Sequence, residues 1–294
     1  MSASVPQEPQ IKGWCPGAHR PMMSGDGLVV RVRPRLARLT AEQTLGLCAL
    51  ADRHGNGFLD LTNRANLQVR GVSEADHDAL LQALSRLDLL DADPALESRR
   101  NVLVSPFWRE RDLTERLTRA VLASLHRLPA LPAKIGIAID TGAAPVLGDA
   151  SADFRFEQGQ DGLILRADGA SHGRPVTERT AIAALLELAA WFDARRSKDR
   201  RRMASVLART ALPAEWTTAA PREGVGRPCP GPTDQGMLLG AAFGQIDAGA
   251  LARLMHRTGA KAFRVSPWRL FLLEGVHGAE SDDFVTAPGD PLLA

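Results

Sequence analysis

Six basic side chains sit where they could grip an anion. Arg31 and Arg33 are two residues apart, and Arg64 and Arg70 lie within Thr62–Gly71. Arg100, beside Arg99, precedes an apolar stretch, and Lys134 closes Leu131-Pro132-Ala133-Lys134. Gly27–Pro34 reads as a strand ended by proline, and on a strand the Arg31 and Arg33 side chains project to the same side. A guanidinium presents a planar fork that donates two parallel bonds to a carboxylate, and charge-assisted bonds are the strong ones. Such a set suits a ligand with several carboxylates, or another oxyanion. Taken alone, the same residues are as well explained as solvated charges on exposed strand faces, where most charges lie.

The elements that must position these cations follow from caps and periodicity. Thr40-Ala41-Glu42-Gln43 is a capping-box signature, and the helix it opens runs to about His54, with Gly55 as its stop. Phe58–Thr62 is a second strand, and Ser73 to about Leu89 a second helix. Strand, helix, strand, helix is the order of half a ferredoxin-like fold. Asn101–Val104 is a short apolar strand, Asp112–Arg127 is helical in pattern, and Lys134–Asp140 alternates like a strand. Phe154–Phe156 and Leu163–Ala167 suggest a hairpin around Gly159 and Gly162, and Thr177–Arg196 an Ala/Leu-rich helix. Ala211–Pro232 is rich in Pro and Gly and reads as a linker.

The opening unit then repeats. Gly236–Ala242 stands where Gly27–Arg33 stood, Asp247 caps a helix that Gly259 ends, and Phe263–Arg269 answers Leu59–Arg64. Gly275-Val276 answers Gly71-Val72. A period of about 200 residues is too long for a solenoid and implies two similar half-domains about a pseudo-two-fold axis. Where the first copy has Arg31 and Arg33, this alignment puts Gly240 and Ala242 in the second. The first copy therefore carries charge that the architecture does not require. The expected division is an N-terminal extension over 1–24, a half-domain over 25–90, a middle domain over 91–210, a linker over 211–235 and a second half-domain over 236–294.

Composition narrows the classes. The 294 residues include 36 Lys+Arg against 34 Asp+Glu, a net charge of +2, so global charge makes no case for nucleic acid. No apolar run reaches the roughly 18 residues of a membrane span, and Met1–Gln10 does not read as a signal peptide. The expectation is a cytoplasmic protein with no membrane partner. The 3 cysteines, Cys15, Cys48 and Cys229, form no C-x-x-C pair, which argues against a disulfide framework or a zinc site. No G-x-G-x-x-G or P-loop pattern points to a nucleotide.

The run Leu59, Leu61, Thr62, Asn63, Arg64, Asn66, Leu67, Gln68, Arg70, Gly71 resembles the strand-and-turn motif of siroheme-dependent sulfite and nitrite reductases. Arg100-Asn101-Val102 and Leu131-Pro132-Ala133-Lys134 resemble two further motifs of that superfamily, in the same order. Cys15-Pro16-Gly17-Ala18, Gly25-Asp26-Gly27-Leu28, Arg100–Pro106 and Ser266-Pro267-Trp268-Arg269 are closer to its precorrin-3B synthase branch. The resemblance runs from about Gly13 to Leu292. It implies an α+β fold: two ferredoxin-like half-domains related by internal duplication, plus a sulfite/nitrite reductase-type α/β middle unit. It also implies a basic cavity for a polycarboxylate tetrapyrrole, with Arg31, Arg33, Arg64, Arg70, Arg100 and Lys134 as its binding residues. The ligand would be precorrin-3A, hydroxylated and lactonised in cobalamin biosynthesis; the alternatives are siroheme with a small oxyanion, or a tetrapyrrole bound without turnover. The family's [4Fe–4S] cluster takes four cysteine thiolates from a unit after the second half-domain. This chain ends at Pro291-Leu292-Leu293-Ala294, about where that unit should begin, and its three cysteines cannot replace the missing ligands. A separate chain carrying the cluster unit is then an expected partner.

Overall fold

Caps fix the two long helices of the duplicated halves. Thr40 Oγ1 accepts from the Gln43 N–H at 3.2 Å and Gln43 Oε1 accepts from the Thr40 N–H at 3.0 Å, closing the box that the sequence predicts. The Asp247 carboxylate likewise accepts from the Ala250 N–H at 2.6 Å, and Gly259 ends that helix at φ 63°. The computed structural model describes residues 16–293, so Cys15 lies outside the described residues.

The first half comprises β1 (Met22–Ser24), β2 (Gly27–Val32), β3 (Arg38–Thr40), α1 (Ala41–His54), β4 (Phe58–Leu61), β5 (Leu67–Val72) and α2 (His77–Arg86). α2 starts later than expected, because Ser73 and Asp76 bond each other's side chain and backbone in a turn before it. The middle unit holds α3 (Pro94–Arg99), β6 (Val102–Val104), α4 (Leu113–Ser124), β7 (Ile137–Asp140), β8 (Phe154–Gln158), β9 (Leu163–Ala167), β10 (Arg174–Pro175), α5 (Ala181–Asp193) and α6 (Met203–Leu207). The second half holds β11 (Gly231–Thr233), β12 (Gly236–Gly240), β13 (Gln245–Asp247), α7 (Ala248–Thr258), β14 (Ala262–Val265) and β15 (Leu270–Glu274).

Both halves build antiparallel sheets of one order, β1-β2-β5-β4 and β11-β12-β15-β14, and each lends the other an edge strand. β13 pairs with β4, and β3 pairs with β14. α1 and α7 pack beside each other, and one apolar core runs through Leu39, Leu59, Val69, Ile246, Phe263 and Phe271. Backbone detail repeats as well. Leu36 and Phe243 both adopt φ 56°, Ala65 and Arg269 are left-handed at 50° and 62°, and Gly71 and Gly275 at 69° and 79°.

The register corrects one alignment made from sequence. The pairing of β2 with β5 and of β12 with β15 displaces the copies by two residues from that alignment. Arg31 faces Gln68 where Leu238 faces Leu272, so Leu238 and Gly240, not Gly240 and Ala242, answer Arg31 and Arg33. The second copy still has no cation there.

In the middle unit β6, β7 and β8 are parallel neighbours, with β9 and β10 added antiparallel. Of Lys134–Asp140 only Ile137–Asp140 is strand, and all four residues are buried, because a central parallel strand is covered on both faces. The Pro/Gly stretch is not a free linker. Ala219 exchanges backbone bonds with Gly173 at 2.8 and 2.9 Å, and Gly231–Thr233 is a strand.

Candidate functional site

Directly opposed residues on neighbouring strands share a face of the sheet. Across the first half this places Arg31, Gln68, Asp60 and Gln245 in one row, from β2 through β5 and β4 to β13. The equivalent row of the second half is Leu238, Leu272, Arg264 and Arg38. The two rows have opposite destinies. Leu238 and Leu272 are fully buried, and Arg264, 4% exposed, donates to the Pro106 and Trp108 carbonyls of the middle unit at 2.9 and 2.6 Å. The first row stays polar, with Gln68 and Asp60 half-buried and Gln245 exposed.

Even the ion pair that each row makes with its neighbouring position is inverted. Arg70 pairs with Asp60 at 3.1 Å in the first half, whereas Arg264 pairs with Glu274 at 2.8 Å in the second, at matching positions with the signs exchanged. Arg70 also donates to Asp26 and Ser24, and the bonds that Asp26 accepts raise its pKa most. Its fork is thus committed within its own half-domain.

At the end of β2, Arg33 and Arg100 meet. Arg100 Nη1 donates to the Arg33 carbonyl at 2.7 Å, Arg33 is paired with Glu97, and Arg100 with Asp91 at 2.6 Å. All four side chains are largely buried. Burial pulls the Arg100 guanidinium below its ordinary value, and the Asp91 charge opposes it. An arginine remains charged through such a shift. These carboxylates clamp the middle unit to the first half, and nothing local in the sequence marks Glu97 or Asp91, which are 64 and 9 residues from their partners.

Arg64 sits half-buried in the turn after β4, where Thr62 Oγ1 accepts from the Arg64 and Asn66 N–H groups at 3.4 and 3.1 Å. Lys134 is exposed in the turn before β7. The two middle-unit motifs do come together: Asn101 Nδ2 donates to the Ile135 carbonyl at 2.8 Å, which joins Arg100-Asn101-Val102 to the Lys134 turn at the amino ends of β6 and β7. Arg99 is occupied with the Leu125 and Leu128 carbonyls. Reasoning from sequence missed Gln68, Asp60, Arg264 and Trp108. Arg264 had a usable signal, since it stands in the repeat where Asp60 stands in the first copy.

A cleft opens on the other side of the middle sheet, at the carboxyl ends of β6 and β7, where open α/β sheets commonly bind ligands. One cavity of about 450 Å³ is lined by Ser105, Phe107, Trp108, Thr114, Val146 and Gln235 among others. A neighbour of about 560 Å³ shares Val146, Gly226 and Arg227 with it and reaches Asn63 and Trp268, which belong to equivalent turns of the two halves.

Among the described residues the donor set does not suit an iron–sulfur cluster. Among the described residues no group of three His, Cys, Asp or Glu side chains could hold a metal. Cys48 lies in the core, where burial pushes its thiol up to about 12, and Cys229 is exposed in the Pro/Gly stretch. Of the cations outside the ion-pair clamp, Arg31 lies on the polar sheet row of the first half, Arg64 in the turn after β4 and Lys134 in the turn before β7.

The family described as nitrite/sulfite reductase ferredoxin-like half domain matches residues 20–87. A precorrin-3B synthase of Sinorhizobium sp is 31% identical over 288 residues, covering 90% of this chain, and the chain spans 62% of that relative's length. Among solved structures, the NirA protein of Mycobacterium tuberculosis aligns at a TM-score of 0.56 with 19% identity, over 84% of this chain and 54% of its own, a likeness of fold.

Proposed function

We propose, for a relative of precorrin-3B synthase within the sulfite/nitrite reductase superfamily, that the chain binds a polycarboxylate tetrapyrrole, precorrin-3A, for cobalamin biosynthesis. The observation that carries the reading is the contrast between equivalent sheet faces. The second half closes its face with Leu238 and Leu272, while the first keeps Arg31, Gln68 and Asp60 in the same places. Keeping a buried cation where leucine would serve costs desolvation, so a use for the charge is implied.

In this reading Arg31 and Arg64 bind ligand carboxylates, and Lys134 reaches them as a flexible point charge. Arg33 and Arg100 hold the middle unit in place through Glu97 and Asp91, and Arg70 keeps the sheet face rigid. Oxidative hydroxylation and lactonisation need electrons that an iron–sulfur centre supplies. The chemistry assigned to the described residues is recognition and orientation, with the electrons supplied by a cluster unit that they do not include.

Titration of uroporphyrin against a porphyrin with fewer carboxylates, each at low and high salt, tests the reading. Uroporphyrin should bind about tenfold tighter or better at low salt and lose most of that advantage at high salt. Equal affinity for both porphyrins, or no salt dependence, would overturn it.

A further inference from the structure

Residues 195–202, between α5 and α6, carry the densest positive charge in the chain. Six of the eight are Arg or Lys and one is Asp, so this stretch alone is net +5 in a protein of net +2. Four of the cations are structural. Arg195 donates to the Trp191 carbonyl at 3.2 Å and lies over the Trp191 ring, Arg196 pairs with Asp193 at 2.6 Å, and Arg200 donates to Ser197 Oγ at 3.3 Å. Arg196 and Arg202 also tie the stretch to both ends of the turn that carries Lys134. Arg196 Nη2 donates to the Ala130 carbonyl at 3.1 Å. Arg202 pairs with Asp153 at 2.9 Å, and the same buried carboxylate accepts from the Gly136 N–H at 3.0 Å. Between these anchors Ser197 and Arg200 exchange backbone bonds at 3.2 Å, which closes a turn around Lys198. Lys198 and Arg201 are exposed, and neither side chain has a hydrogen-bond or ion-pair partner among the described residues.

We infer that Lys198 and Arg201, held beside Lys134, form an entry patch that draws a carboxylate-rich small molecule toward the cations of the first half. The inference rests on the tetrapyrrole reading above and adds to it the route by which the ligand arrives. Crowded like charges repel, and the fold uses only Arg195, Arg196, Arg200 and Arg202, so Lys198 and Arg201 add repulsion without a structural return. Fixed charges around an entrance raise the local concentration of an oppositely charged molecule and can speed its association by about 10–10³-fold. Once the ligand is bound, water screens such exposed groups and they hold it weakly. The patch therefore acts on the rate of association and leaves dissociation to the more buried cations. An acidic protein suits this surface less well. A protein interface is centred on a large apolar or aromatic anchor, and the exposed large hydrophobics Met23, Val225, Phe243 and Leu292 belong neither to this stretch nor to the Lys134 turn.

Stopped-flow mixing of the full chain with uroporphyrin, followed by quenching of tryptophan fluorescence, tests the patch. The double variant Lys198→Glu, Arg201→Glu should associate about tenfold more slowly at low salt, with its dissociation rate within about twofold of wild type. At high salt the difference in association should shrink to about twofold or less. The milder Lys198→Gln, Arg201→Gln should slow association by about threefold, which guards against damage done by the acidic side chains themselves. Arg253→Glu, Lys261→Glu makes the same change of net charge at exposed positions of the second half, and its association should stay within about twofold of wild type. No binding of uroporphyrin by the wild-type chain would overturn the tetrapyrrole reading and the patch with it. With wild-type binding intact, three results would each overturn the patch alone. The first is an association rate indifferent to Lys198→Glu, Arg201→Glu, which would leave the surface to an acidic macromolecule. The second is an equal slowing in the second-half variant, which would reduce the effect to net charge. The third is a loss carried by faster dissociation, which would make the two residues direct contacts.

Discussion

Arg264→Ala should be among the most damaging single substitutions in the chain. The side chain is 4% exposed and serves three partners at once. It donates to the Pro106 and Trp108 carbonyls at 2.9 and 2.6 Å, lies over the Trp108 ring, and pairs with Glu274. Hydrogen bonds to a charged group are worth about 1.5–3 kcal/mol each, and a cation–π contact about 0.5–2 kcal/mol. Glu274 is not orphaned, because Arg38 Nε still donates to it at 2.8 Å, which keeps the loss below that of a fully broken buried pair. Since contacts sharing one side chain do not add, the expected loss is about 3–5 kcal/mol, a large part of the roughly 5–15 kcal/mol that holds a domain together. Arg38→Ala removes the more exposed arm of the same cluster and should cost about 1 kcal/mol or less. Urea unfolding followed by tryptophan fluorescence measures both. A loss under about 1 kcal/mol for Arg264→Ala, or equal losses for the two variants, would refute the assignment of Arg264 as the anchor between the middle unit and the second half.

Glu274 gives a pH signature. Burial pushes its carboxyl up, but the bonds from Arg38 and the charge of Arg264 outweigh this and hold it below the usual range. A folded-state value depressed below the unfolded one, about 4.3, contributes stability that is present above that pH and lost as pH falls through the folded value. Glu274→Gln should therefore flatten the acid side of the stability profile, and an unchanged slope below about pH 4.3 would contradict the pairing. Thiol titration of the native protein near pH 8 should leave Cys48 unreacted, since its thiol stays protonated, while Cys229→Ser should lower the count of reactive thiols by about one. Loss of a reactive thiol in Cys48→Ser would show that the core around α1 opens.

Much of this architecture is written locally. The Thr40 and Gln43 box, the Asp247 cap and the Gly259 stop are spelled by residues within one turn of each other, so sequence reading finds α1 and α7. The duplication is legible because paired glycines, Gly71 and Gly275, mark the same left-handed bend. What sequence does not show is long-range. The exchanged strands β3 and β13 have only three residues each, too few for a period to register. The strand register displaces the cations by two residues relative to the second copy without altering the pattern of residue types. Lys134–Asp140 alternates in polarity at its start, yet both faces of β7 are buried by the sheet's neighbours. The cations were legible as candidates, but their carboxylate partners were not. Only the folded chain shows that Arg33 and Arg100 meet Glu97 and Asp91, while Arg70 is bound within its own half.

The most direct measurement is the affinity of uroporphyrin for the wild-type chain and for Arg64→Ala, Lys134→Ala and their combination, read by titration at low salt. Neither residue belongs to the ion-pair clamp between the first half and the middle unit, so the fold should persist in all three variants. Half-buried Arg64 should cost about tenfold or more in affinity, exposed Lys134 less because water screens it, and the combination more than either. Wild-type affinity in the folded double variant would contradict the claim that the cations of the first half form a tetrapyrrole site.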